Sequence, residues 1–130
     1  MFTIEAIKAA HAKVKTGADY PAYVREIIAI GIMGYETSVG DGNTTYFGMG
    51  SFQIQSGPKY GSISVADKSN RTKFLKHLKV HQRGATDFPT FCAESGKSGI
   101  EKWVADLSAM TCTYFDKAGT ALVVESIPGL

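Results

Sequence analysis

The residues of this chain whose types could do chemistry are two cysteines, three histidines and one dense run of lysine and arginine. A thiol beside an imidazole makes a nucleophile, provided the fold joins them and the thiolate is stabilised. Cys92 or Cys112 with His81 is the pair this chain offers. Cys92 follows Phe91 about a turn into a short predicted helix. Cys112 lies between Met110 and Tyr114 on the apolar face of a predicted strand, where a free cysteine behaves as a small hydrophobe. Both positions are explained without catalysis, so no catalytic residue is assigned. His77 and His81 stand one helical turn apart, a spacing that can bind zinc. The residues between them, Leu78-Lys79-Val80, lack the glutamate of a metalloprotease motif, and Lys76 and Lys79 repel a cation. The expectation is a half-buried histidine bonded to a neighbouring loop, with no metal and no cofactor. His11 falls in an apolar stripe and reads as a core histidine.

The basic run is Lys68, Arg71, Lys73, Lys76, Lys79 and Arg83, six cations in residues 68–83 with no Asp or Glu among them. The rest of the chain then holds eight basic and twelve acidic residues, from totals of 14 and 12, so charge is polarised although the net is only +2. On one helix, Lys68, Lys73, Lys76, Lys79 and Arg83 span an arc of about 140°. These five are the expected binding residues, for a polyanion or an acidic protein partner. The competing reading is the solvated face of an amphipathic helix, since no aromatic side chains interleave for base stacking.

Other motifs carry less. Gly48-Met49-Gly50 follows a strand and lacks the third glycine of a phosphate-binding loop; the room such glycines leave is expected to be filled by Tyr35 and Met33. Asp116 is explained by a turn. Asp106 should face away from Trp103, and Glu125 stands only as a carboxylate near the tail. No nucleophile-elbow signature appears.

The elements that must position these residues follow from periodicity. Residues 3–15 recur at helical spacing, capped by Thr3 and ended by Gly17. Asp19 opens a second helix with Pro21 in its first turn, and Gly31 stops it. Period-two alternation over 32–55 predicts a hairpin around the turn 40–43. In that register Val39 faces Thr44 and Tyr35 faces Gly48, and Met33, Tyr35, Val39, Tyr46, Phe52 and Ile54 share the core face. Ile63 and Val65 suggest a short strand, and 64–67 suggests a capping box for a helix over 67–83. Thr86 or Asp87 opens a fourth helix, which Gly96 ends. Residues 102–107, 110–116 and 120–127 read as strands, the last two joined by a three-residue loop with a bulge, so that Tyr114 faces Leu122 and Cys112 faces Val124. Helices followed by grouped strands predict an α+β fold: a single domain over 1–130, with an antiparallel sheet of about four to six strands and helices mainly on one face. Trp103, Phe52, Ile54 and Leu122 should be largely buried.

Composition agrees with a packed domain. At 44% hydrophobic and 20% charged, disorder is excluded, and two cysteines are too few for a disulfide scaffold. No apolar run reaches the roughly 20 residues that span a bilayer, and the first ten residues lack the apolar core of a signal peptide. A cytoplasmic location without membrane contact is expected.

Three segments, His81-Gln82-Arg83-Gly84, 86–92 (Thr-Asp-Phe-Pro-Thr-Phe-Cys) and 99–107 (Gly-Ile-Glu-Lys-Trp-Val-Ala-Asp-Leu), resemble the YdfO-like family. So do 110–117 and the ending Val124-Glu125-Ser126-Ile127-Pro128. The resemblance is close over 77–128 and looser elsewhere. That family comprises small bacterial and prophage-encoded proteins of unknown function, some labelled phage envelope proteins. The resemblance implies a compact α+β domain and no assigned reaction. The expected function is that of a prophage-type accessory protein, a non-enzymatic binding or interaction module. The alternative is a small enzyme or ligand-binding protein using Cys92 or Cys112 with His81.

Overall fold

A computed structural model describes residues 2–15 and 19–127. The elements run α1 (Ile4–His11), α2 (Tyr20–Ala29), β1 (Gly34–Ser38), β2 (Thr44–Phe47), β3 (Gln53–Gln55), α3 (Arg71–Gln82), α4 (Phe88–Lys97), β4 (Ile100–Asp106), β5 (Thr111–Asp116) and β6 (Ala121–Ser126). The strands form one antiparallel sheet in the order β3-β2-β1-β4-β5-β6. Rings from the helices pack on one face of it: Phe74 of α3 against Tyr114, Phe88 and Phe91 of α4 against Trp103, and the hydroxyl of Tyr20 in α2 against that of Tyr35. The α+β architecture expected from the pattern is the one found.

Local chemistry sets most helix ends. Thr3 Oγ1 accepts from the Ala6 amide at 3.2 Å and Asp87 Oδ1 from Thr90 at 2.9 Å, each quieting an unpaired amide of the first turn. Asp19 precedes α2 but does not cap it through its side chain; its carboxylate accepts from the Lys15 amide at 2.9 Å. Helix α1 stops at His11, four residues short of the expected end, and Gly17 lies outside the described residues.

Four expectations are corrected. The basic helix starts at Arg71, not near Asp67, with Asn70 as its cap. The segment before it is held extended on the end of α4, with Ala66 donating to the Gly96 carbonyl and Asn70 to that of Ser98, both at 2.9 Å. Lys68 is therefore off the helix, and Ile63 and Val65 form no strand. Gly96 is not the stop of α4 but its last residue but one, and it lies against the preceding segment: a Cβ there would meet Ile63 Cγ2 at 2.9 Å and the Ser64 carbonyl at 3.1 Å. The break comes at Gly99, where φ is +85°.

The predicted long strand is two, β2 and β3, with residues 48–52 turning between them. In the first hairpin Thr37 faces Thr44 and Tyr35 faces Tyr46, two residues away from the expected register. A slip of two keeps each side chain on its own face, so Tyr35 and Tyr46 are still core. Met33 is 47% exposed and leaves the core list. Gly48 is filled by Phe2 and Phe52 rather than Tyr35. The last hairpin slips by one: Tyr114 faces Val123 and Cys112 faces Glu125, with an irregularity beyond Tyr114. That puts Val124 outside at 62% exposure and Val123 inside at 7%. Trp103 is buried as expected, whereas Phe52, Ile54 and Leu122 are only half-buried.

Candidate functional site

Between the sheet and the helices lies a cavity of about 150 Å³. Its floor is the helix-facing side of the central strands: Tyr35 and Thr37 from β1, Thr44 and Tyr46 from β2, Trp103 from β4, Cys112 and Tyr114 from β5, and Glu125 from β6. Its roof is contributed by every helix, with His11 from α1, Tyr20 and Tyr23 from α2, Leu78 and His81 from α3, and Phe88 and Phe91 from α4. Exposed Lys15, Lys59 and Gln82 form the part of the wall that meets solvent.

Alternation along the strands explains the floor, since every second residue of β1, β2 and β5 points to the helices. Its hydroxyls are each paired with a neighbouring side chain. The Tyr20 and Tyr35 hydroxyls share a hydrogen bond, the Tyr23 and Tyr46 hydroxyls lie 3.4 Å apart, and Thr37 and Thr44 Oγ1 lie 2.9 Å apart. Tyr114 donates to Glu125 Oε1 at 2.9 Å, and Gln82 Nε2 donates to Oε2 at 2.8 Å. Burial raises the Tyr20, Tyr23, Tyr35, Tyr46 and Tyr114 hydroxyls above the ordinary phenol range, so they stay neutral donors and acceptors.

The residues singled out by type divide around this cavity. His81, Tyr35 and Cys112 line it, whereas Cys92 and Asp106 do not. His81 stacks on Phe91 with ring centroids 4.3 Å apart, and its Nδ1 lies 3.1 Å from the Thr86 carbonyl, the loop contact expected of it. Burial lowers its pKa, as it does for His11. His77 turns elsewhere, with Nδ1 2.6 Å from Glu94 Oε2 of α4. The two histidines one turn apart thus serve different partners, and no cluster of three metal-ligating side chains occurs among the described residues.

Both cysteines are buried and free. Burial pushes the Cys112 thiol up to about 12, and that of Cys92 up to about 11 even though Tyr60 and Lys59 favour its thiolate. This is the reverse of an activated nucleophile. Asp106 is exposed and caps a turn, accepting from Ser108 and Ala109 at 2.9 and 3.0 Å.

Lys68, Lys73, Lys76, Lys79 and Arg83 are all exposed, and none enters an ion pair among the described residues. They lie away from the cavity wall. Sequence reasoning missed Glu125 and Lys59. Glu125 was hidden by the one-residue slip in the last hairpin. Lys59 carries no motif, and only its place between Pro58 and Tyr60 in a loop packed on the first hairpin brings it to the site.

No helix among the described residues is long and apolar enough to cross a membrane. An uncharacterized protein of Mycobacterium bovis and two of Mycobacterium tuberculosis strains are each 33% identical to this chain over 58 residues. The match covers 45% of this chain and 35% of each relative. A family model described as a protein of unknown function, DUF1398, matches residues 8–126, nearly the whole length of the described fold, and the chain belongs to that family.

Proposed function

We propose that this protein is a non-catalytic binding module whose cavity between sheet and helices takes a small, mainly apolar ligand. The observation that carries this reading is the cavity itself: aromatic walls, hydroxyls already paired, and an edge open to solvent. Such a site rewards burial of an apolar ring and asks few hydrogen bonds of it. A cavity of about 150 Å³ is benzene-sized. The enzymatic alternative would need His81 to activate Cys112, the thiol that shares its cavity, and burial works against that. A cytoplasmic accessory role of the kind carried by prophages suits a small binding module and follows from the likeness to YdfO-like proteins.

Trp103 is the chain's single tryptophan and stands in the cavity wall, so its fluorescence reports occupancy. Neutral one-ring compounds should shift that emission and raise the melting temperature, with about 2.7 kcal/mol of stabilisation at 100 times Kd. If a panel of such compounds leaves both emission and melting unchanged, the cavity is not a ligand site.

A second reading rests on the basic face of α3. Four solvated cations on or at the end of one helix, with Lys68 just ahead of it and none of them paired with an acid, support weak docking to a polyanion.

A further inference from the structure

We propose that the cavity's ligand is a small aromatic carboxylate, with its ring between the tyrosines and Trp103 and its carboxylate on the ammonium of Lys59. This rests on the cavity being a ligand site, and it names the ligand's class.

Lysine ordinarily lays its stem on the protein and holds its ammonium in water. Lys59 does the opposite. The residue as a whole is exposed, but its Nζ reaches inward to 3.4 Å from Oγ1 of the buried Thr44 and sits 5.6 Å from the Phe88 ring centre. An ammonium has three donors; among the described residues one is engaged, at long range, and the aromatic face is a weak second partner. No carboxylate lies within ion-pair distance of it among the described residues. Desolvation lowers its pKa, so an anion beside it would restore the charge that burial opposes.

The placement is built rather than accidental. The loop carrying Lys59 is tied to the first hairpin by its own amide, which donates to the Asp41 carbonyl at 2.8 Å. On one side the Gly57 amide donates to Asn43 Oδ1 at 3.0 Å, and on the other the Tyr60 hydroxyl donates to the Val39 carbonyl at 2.7 Å.

The other charges in the wall leave a positive balance. Glu125 is the one carboxylate among the described wall residues; its charge opposes an anion, but both of its oxygens are held away on Tyr114 and Gln82. Burial favours the neutral forms of His11 and His81. Two ammonium groups, Lys15 and Lys59, stand against that one carboxylate, so the described wall carries a net charge of +1 and favours an anion. The volume holds one ring, and walls of tyrosine, phenylalanine and tryptophan favour an aromatic one.

The test uses Trp103 fluorescence and calorimetry with benzoate and its neutral isostere benzamide, on the wild type and on Lys59→Met, which keeps the stem and removes the ammonium. Wild type should bind benzoate roughly tenfold or more tightly than benzamide, the order one charge-assisted bond supplies. Lys59→Met should lose that preference, and Lys59→Arg should retain it. Equal affinity for the two compounds in the wild type, or a preference that survives Lys59→Met, overturns the carboxylate assignment and leaves the cavity reading standing. If neither compound nor any neutral ring binds, the cavity reading fails and this inference fails with it.

Discussion

At the scale of single residues, the fate of each reactive side chain is decided by the water it loses. A thiol raised to about 12, like that of Cys112, is ionised at pH 7 only to about one part in 10⁵, against about 3% for an ordinary thiol near 8.5. Both cysteines of the folded protein should therefore react with a neutral-pH thiol reagent at least about a hundredfold more slowly than in the denatured chain, Cys112 about a thousandfold. A stopped-flow labelling trace with a fast phase in the native protein would show an accessible thiolate instead. Cys112 was legible as a buried thiol because Met110 and Tyr114 flank it on one face. Its neighbour Glu125 was not. Along β6, Ala121 faces Phe115 and Val123 faces Tyr114, so Leu122 is an extra residue, and its carbonyl accepts from Arg71 Nε at 2.9 Å. One inserted residue exchanges the faces of everything after it, and alternation alone cannot locate the insertion.

At the scale of elements, type was easier to read than extent. Helical stripes and period-two runs marked the helices and most strands; Thr3 was recognisable as a cap, and Thr86 or Asp87 as the start of α4, where Asp87 is the cap. What escaped were places where a distant segment overrides the local signal. Gly96 looked like a stop because glycine is a poor helix former. It is a contact, with the segment around Ile63 and Ser64 lying too close for a side chain. Gly96→Ala should gain about 1 kcal/mol of helix propensity and lose roughly 1–3 kcal/mol to crowding. The expected net is a destabilisation of about 1 kcal/mol in chemical denaturation. A stabilised variant would mean that the 63–64 segment yields freely.

For the whole molecule, charge and cavity divide the surface between them. The basic face of α3 is read directly from composition, since six cations without an acid in sixteen residues survive any error of register. If it docks polyanions, retention on heparin or duplex DNA should fall with salt. Three to five phosphate contacts give a log–log slope of about −3 to −4.5, at 0.9 per contact on DNA. No base preference should accompany it. Changing Lys73, Lys76 and Lys79 together to Gln should abolish retention with the fold intact, and equal retention by the triple variant would reduce the helix to a solvated face. The cavity, by contrast, was invisible in the sequence, because it is assembled from side chains of four helices and five strands, none of which forms a motif.

The strand order has one more consequence. β1, β2 and β3 form a meander from neighbouring stretches of chain, and so do β4, β5 and β6. The two meet only along β1 and β4, where Tyr35 faces Ala105 and Thr37 faces Trp103. Closing that seam brings together residues on either side of both α3 and α4, so it is the long-range event whose entropy must be met before the sheet is whole. Tyr35 and Tyr46 belong to one meander, Trp103 and Tyr114 to the other. The cavity therefore does not exist in either half alone, and a ligand that filled it would stabilise the completed sheet over its separate halves.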